Sequence, residues 1–244
     1  MGVFERGISQ SGLSIFRNCP YAYKLHYIDK AEGMFFDPSV LDVGKLAHKA
    51  IELYYKHDFL TEGVADDILA FSYQHLKKIW DITLTVEQLQ KAYQCLEHHA
   101  TWEAENIKKY NHTKPIPEAK LAGRNYFGYV DYINLNQNQA VDFKTNTWPT
   151  LSYEYRMQAH VYRELIDQNF GERLSHFYFF FLHPNTWRTV KFDSDKQKQV
   201  GEEVEEMKRQ VLACYETGEF EKKPRTPATC KNCLYNYYCM VKGW

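Results

Sequence analysis

The chain has 244 residues, 44% of them hydrophobic and 25% charged, with a formal net charge of −1. That composition is ordinary for a globular protein with a sizeable core, and the charge gives no overall support for a nucleic-acid binder. No stretch approaches the ~18 apolar residues of a membrane span. The opening MGVFERGISQ shows neither the basic-then-apolar order of a secretory signal nor the Ser or Thr at position six that myristoylation needs. Six cysteines without such a signal argue against a disulfide framework and for a reducing, cytoplasmic setting. The basic runs near residues 111 and 223 and the acidic GEEVEEMK read as solvated faces.

In chain order, SQSGLSIFRNCPYAYKLHY predicts helix, break, helix, with Ser9 or Ser11 as cap and Pro20 in the second first turn. SVLDVGKLAHKAIELYYKH carries Leu46, Ala50, Leu53 and Tyr54 at helical spacing. Helices follow at about 64–80 and 86–110, an α-rich insertion. After Pro115 and Pro117 the period changes, and AKLAGRNYFGYVDYINLNQNQAVDFKTN predicts short strands joined by polar turns. A helix over SYEYRMQAHVYRELIDQ, strands over SHFYFFFLH and WRTVKFD, and a long helix from SDKQKQ onward complete the order. Helices, hairpin, helix, strands and helix make an α/β domain with a mixed central sheet flanked by helices.

The informative centre is GYVDYINLNQNQAVDFKTN. A hairpin turning at Asn136–Gln137 sets Asp131 opposite Asp142, with Lys144 on the same face and Val130, Val141 and Phe143 on the other. Two carboxylates that close repel unless something compensates. A Mg²⁺ or Mn²⁺ ion does so, since hard cations take oxygen ligands. Lys144 beside it could orient a water or neutralise phosphate charge, an arrangement for metal-assisted phosphodiester hydrolysis. An exposed hairpin face carrying a salt bridge is the plainer alternative. Cys230, Cys233 and Cys239 close the chain as C-x2-C-x5-C, three thiols where a soft metal site wants four. Cys95 and Cys214 fall on predicted helices with no partner spacing and read as packed thiols.

Taken in order, these motifs resemble one family. GYVD, ten residues, then DFK resembles the active-site hairpin of the PD-(D/E)XK nuclease superfamily. GKLAHKAIE, with Gly44 and His48, and QAHVYRELI resemble the flanking motifs of its RecB-like branch. FRNCPYAYKLHY and CKNCLYNYYC resemble the two ends of the iron–sulfur cassette of AddB-type helicase–nucleases and CRISPR-associated adaptation nucleases. The resemblance runs from about Ser9 to Cys239. It implies a restriction-endonuclease-like core at 115–216 within one domain. It also implies a helical region carrying the His motif at 40–112, and cluster-binding segments at 9–30 and 224–244 that join the two ends.

By the same resemblance, Asp131, Asp142, the Phe143 carbonyl and His48 are metal ligands, and Lys144 is the catalytic lysine. Gln158 and Tyr162, four apart on one helix face, line the site. Read from the residues alone, that pair is equally a surface polar pair, and His48 a structural or solvated histidine. Glu118 is a slighter match to a glutamate on the strand before the hairpin. Glu52 shares the helix face of His48 and is expected to orient it, a reading that owes nothing to the family. The family pattern makes Cys19 the fourth sulfur and the group a 4Fe–4S cluster, with a four-thiolate Zn²⁺ site the alternative.

The function implied is a metal-dependent DNA nuclease, acting as an exonuclease on ends or single strands in recombination, repair, phage or CRISPR DNA processing. No G-x-x-x-x-G-K-[ST] loop is present, so any helicase motor would belong to a partner, itself a helicase or recombination protein. The competing reading is a catalytically silent DNA-binding or scaffold subunit, which the complete Asp, Asp, Lys, Gln, Tyr set argues against.

Overall fold

The computed structural model describes residues 7–31, 33, 39–57, 64–80, 83–110 and 115–241. Ser9 caps α1 (Gln10–Asn18), its Oγ accepting the Gly12 N–H at 3.0 Å, while Ser11 does not cap. Pro20 opens α2 (Pro20–Tyr27), where a missing N–H costs nothing. Three longer helices follow, α3 (Ser39–His57), α4 (Val64–Trp80) and α5 (Val86–Tyr110). The strands are β1 (Ile116–Ala122), β2 (Phe127–Asn134), β3 (Gln139–Lys144), β4 (His176–Phe181) and β5 (Thr186–Lys191). Helix α6 (Tyr153–Phe170) links β3 to β4, and α7 (Asp195–Thr217) follows β5. Two short helices, α8 (Pro227–Lys231) and α9 (Asn236–Val241), close the described chain.

The five strands form one sheet in chain order, every neighbour antiparallel except β3 and β4. The parallel pair requires a crossover, which α6 supplies. The sheet is therefore mixed, as the order of predicted elements implies. One face packs on α6 and α7, through Met157, Val161, Leu165, Val204 and Val211 against Phe177, Phe179 and Phe181. The other packs on α3, α4 and α5, through Leu46, Ala47, Ala50, Leu76 and Leu96 with Tyr132, Val141, Phe143 and Phe180. The α-rich insertion is thus a whole layer, and the sheet is covered on both sides. Alternation along β4 separates the two cores, odd residues facing one and Phe180 the other.

The β2–β3 register runs Asn134↔Gln139, Ile133↔Ala140 and Tyr132↔Val141, as a turn centred on Asn136–Gln137 demands. The turn is a 3₁₀ piece, Leu135–Gln137, closed by Asn138 at φ +48°, where asparagine is tolerated. Val141 and Phe143 face the α3–α5 layer as expected. Val130 does not: it packs in the α6–α7 core, because β2 departs from regular pleating next to Asp131.

Candidate active site

The two strands separate at Asp131. Paired register stops at Tyr132↔Val141, and the Phe143 N–H bonds instead to the Asp131 carboxylate, Oδ2 accepting at 2.6 Å. A side chain has replaced the neighbouring backbone, which both opens the hairpin and fixes the Asp131 rotamer. Phe143 therefore meets the site through its N–H, while its ring is buried in the core.

On the same side of β3, Lys144 is ion-paired with Asp142 Oδ1. Its Nζ also donates to Gln158 Oε1 at 3.1 Å and lies 4.8 Å from the Tyr155 ring centre, a cation–π contact. Gln158 Nε2 donates to Asp142 Oδ2 at 2.8 Å and lies 3.1 Å from the Tyr162 hydroxyl. So Gln158 and Tyr162 are no surface pair: both are buried, and the amide ties α6 to β3 through both Asp142 and Lys144. Gly128, the glycine of GYVD, makes room for this. A Cβ there would stand 2.8 Å from Tyr162 Cε1.

Helix α3 reaches the site from the other side. Gly44 lets it come close to the end of β3, where a Cβ would stand 3.3 Å from Thr145 Oγ1. One turn later, His48 Nδ1 lies 3.3 Å from Asp131 Oδ1 and 3.8 Å from Glu118 Oε1. Glu52 does not orient His48. It is drawn to Lys49, at 2.7 Å, and to Lys56, the nearer charges on its own helix. Glu118 does what was expected of Glu52, and by an unusual backbone. It sits at φ +45°, between Pro117↔Tyr132 and Ala119↔Val130, a region that costs a non-glycine residue about 1–2 kcal/mol.

His48, Glu118 and Asp131 present ligand atoms all within 4.8 Å of one another, and among the described residues no other His, Cys, Asp and Glu side chains group so closely. One nitrogen and hard oxygens suit a Mg²⁺ or Mn²⁺ ion. Burial opposes the His48 imidazolium, but Asp131 first and then Glu118 and Asp142 outweigh it and raise its pKa well above the ordinary value. Burial pushes the Asp142 carboxyl up to about 6, with Lys144 opposing and Asp131 adding to the rise. Such concentrated, partly uncompensated negative charge is what a cation would relieve. His48 and Glu118 are about a third exposed while Asp131 and Asp142 are buried, so access is from the α3 and β1 side.

The sequence matches the family model of the PD-(D/E)XK nuclease superfamily over residues 7–240. The chain belongs to the PD-(D/E)XK nuclease superfamily. Its mixed sheet and flanking helices are those of that fold, and the family makes it a metal-using nuclease. No curated protein matches the chain. Among solved structures, SSO0001 aligns over 96% of this chain and 86% of its own at 12% identity and a TM-score of 0.40, too loose a likeness to say more. No described helix is long and apolar enough to cross a membrane.

The six cysteines of this nuclease lie in separate surroundings. Cys95 is fully buried, and burial pushes its thiol up to about 12, while Cys214 is partly buried against the α6–α7 core. The C-terminal tail docks on α1 and α2. Tyr21 N–H donates to Glu221 O at 3.1 Å, and Arg225 N–H to Asn18 O at 2.8 Å. Cys19, Cys233 and Cys239 pack there with Ala22, Leu25 and Tyr235. Burial, then the nearby Cys19 and Cys230, raise the Cys233 thiol. A hollow of about 440 Å³ lies beside Cys19, Cys233 and His26.

Proposed function

We propose that the chain is an exonuclease that hydrolyses DNA from ends or single strands. The observation that supports this most directly is the buried Asp142–Lys144–Gln158–Tyr162 network joined to the His48–Glu118–Asp131 group at the open edge. In this reading Asp131, Glu118 and His48 hold the divalent cation, with Asp142 and Phe143 beside them. When bound, the ion supplies positive charge for a phosphodiester oxygen and lowers the pKa of a water. Lys144, held in place by Asp142 and Gln158, stabilises charge on the phosphate or orients the attacking water. Tyr162 and Gln158 keep Asp142 and Lys144 at a fixed separation, so little reorganisation accompanies the reaction.

We also propose that Cys19, Cys230, Cys233 and Cys239 hold a 4Fe–4S cluster. The donor set is complete, the tail and α1–α2 are already joined by backbone bonds, and the hollow lies beside two of the thiols. No three of these sulfurs come within 4.8 Å of one another. Iron, sulfide and zinc analysis distinguishes the cluster from a four-thiolate zinc site.

The test is an assay on end-labelled single- and double-stranded DNA with Mn²⁺, Mg²⁺ or EDTA. Ladder-free release of mononucleotides or short products from ends supports the exonuclease. Internal cuts in circular DNA would make it an endonuclease, and metal-independent binding without cleavage would favour the silent scaffold.

A further inference from the structure

One residue past Lys144 the chain enters the loop 145–152, which carries Trp148. At 78% exposure this is the most exposed of the large hydrophobic side chains among the described residues. Single exposed aromatics are common, but this one is held out by a built loop. Asn146 Nδ2 donates to Trp148 O at 2.9 Å, Thr150 N–H donates to the same oxygen at 3.0 Å, and Tyr155 OH donates to Asn146 Oδ1 at 3.4 Å. Arg188 Nε donates to Pro149 O at 2.7 Å. Four residues of chain reach at most ~14 Å, so Trp148 is within about four nucleotides of Lys144 at duplex spacing.

Positive groups gather around the same loop. Lys91 of α5 lies 3.5 Å from Thr147 Oγ1. Lys144 ends β3, and Arg188 of β5 reaches the loop at Pro149. An exposed indole among cations, next to a phosphodiester-cleaving site, combines the two features that bind single strands: a stacking surface and attraction for the backbone.

We infer that Trp148 is a stacking platform for an unpaired base of the nucleic-acid substrate, with Lys91 holding the adjoining phosphate, so that the enzyme selects single-stranded ends. This rests on the nuclease reading above for its location, but its test does not. Binding of a fluorescein-labelled oligothymidylate is measured in EDTA for the unmodified protein, Trp148→Ala, Trp148→Phe and Lys91→Ala. Base stacking loss is expected to weaken binding about tenfold in Trp148→Ala, with most affinity kept in Trp148→Phe. Lys91→Ala should lower the slope of log affinity against log salt by about one. An abasic oligonucleotide should bind the unmodified protein as weakly as Trp148→Ala binds the intact one, and should show no further loss in the variant.

With Mn²⁺, Trp148→Ala should still hydrolyse bis(p-nitrophenyl) phosphate, which is too small to reach the loop. Unchanged oligonucleotide affinity in Trp148→Ala, or an equal loss on blunt duplex, overturns the inference. So does a change of self-association with unchanged binding, which would make Trp148 a protein contact. If the unmodified protein cleaves nothing, the nuclease reading fails, and the affinities still decide the role of Trp148.

Discussion

The carboxylate site and the cysteine corner are both built from polar groups that need a partner, but the folded chain treats them differently. At the site, Asp131, Asp142, Lys144, Gln158 and Tyr162 are already tied together by hydrogen bonds and charge, over two large apolar cores. At the corner Cys19, Ala22, Leu25 and Tyr235 form a small buried cluster, Cys230 is exposed, and backbone bonds join the tail to α1 and α2. Tyr235 N–H lies 3.4 Å from Cys233 Sγ, and the Tyr235 hydroxyl 2.5 Å from His26 Nδ1. A preorganised site keeps its geometry without an ion. In a corner with so small a core, any bond between its cysteines would carry a larger share of the stability.

The largest expected effect breaks the corner. As a free side chain, exposed Cys230 should be replaceable by alanine within ~0.5 kcal/mol. As a cluster ligand it should cost as much as Cys19→Ala, roughly 5 kcal/mol at the upper end for so long a closed loop. That is comparable to the whole stability of a domain, ~5–15 kcal/mol. Anaerobic purification, iron and sulfide analysis and thermal melts of Cys19→Ala, Cys230→Ala, Cys233→Ala and Cys239→Ala check this, with Cys95→Ala and Cys214→Ala expected to retain iron. Stoichiometric zinc without sulfide would replace the cluster by a thiolate site.

Next comes the site. Lys144→Ala should lower metal-dependent cleavage by ~10²–10³, the usual cost of losing one preorganised charge-stabilising group. Its iron content should be unchanged, since the two regions do not share a residue. Single-turnover cleavage with Mn²⁺ measures this, and near-normal turnover would remove Lys144 from the mechanism.

A smaller effect separates a site that awaits an ion from one that merely tolerates its charges. His48 and Asp142 both have pKa values raised by folding. Groups raised in this way stabilise the fold fully below their unfolded values and lose that contribution as pH rises through the folded ones. The metal-free protein should therefore weaken as pH rises from about 4 through about 6 as Asp142 ionises, and again above 6.5 as His48 loses its proton. Mn²⁺ should oppose both losses and should expel the His48 proton on binding, so its affinity should rise with pH. Melts at stepped pH in EDTA and in Mn²⁺, with calorimetry in buffers of different ionisation heat, test the sign. Proton uptake on metal binding would contradict it.

Much of this site is legible without coordinates because it lies in regular structure. Register in a hairpin follows from its turn, so Asn136–Gln137 sets Ile133 against Ala140 and Tyr132 against Val141, but the ladder stops one pair short of the expected Asp131–Asp142 match, where the Asp131 side chain takes the Phe143 N–H. Helical spacing likewise places Gln158 above Tyr162, but it says nothing of their burial, which depends on the far strand and on Gly128. Where the backbone is irregular the reading fails. Val130 departs from alternation beside the opening strands. Glu52 was misread because spacing shows who shares a helix face, and not which neighbour, here Lys49 or Lys56, captures the charge. Trp148 gave no signal, since a loop's hydrogen bonds are invisible in its composition.

Glu118 is the sharpest instance and offers the finest test. Its φ of +45° cannot be read from a glutamate in a strand, yet it accompanies the placing of the carboxylate beside His48. If the strain is held for the sake of that placement, removing it without the carboxylate should show it. Glu118→Ala loses the ligand and keeps the strain. Glu118→Gly loses both, regaining about 1–2 kcal/mol of steric cost against ~0.5–1 kcal/mol of extra chain entropy. Glu118→Asn tolerates the left-handed region without glycine's freedom. In EDTA the expected order of thermal stability is asparagine and glycine variants above alanine, by up to about 1 kcal/mol. All three should bind Mn²⁺ more weakly than the unmodified protein. An alanine variant as stable as the glycine one would mean that the strand relaxes once the carboxylate is gone, so that the ligand pulls the backbone and not the backbone the ligand.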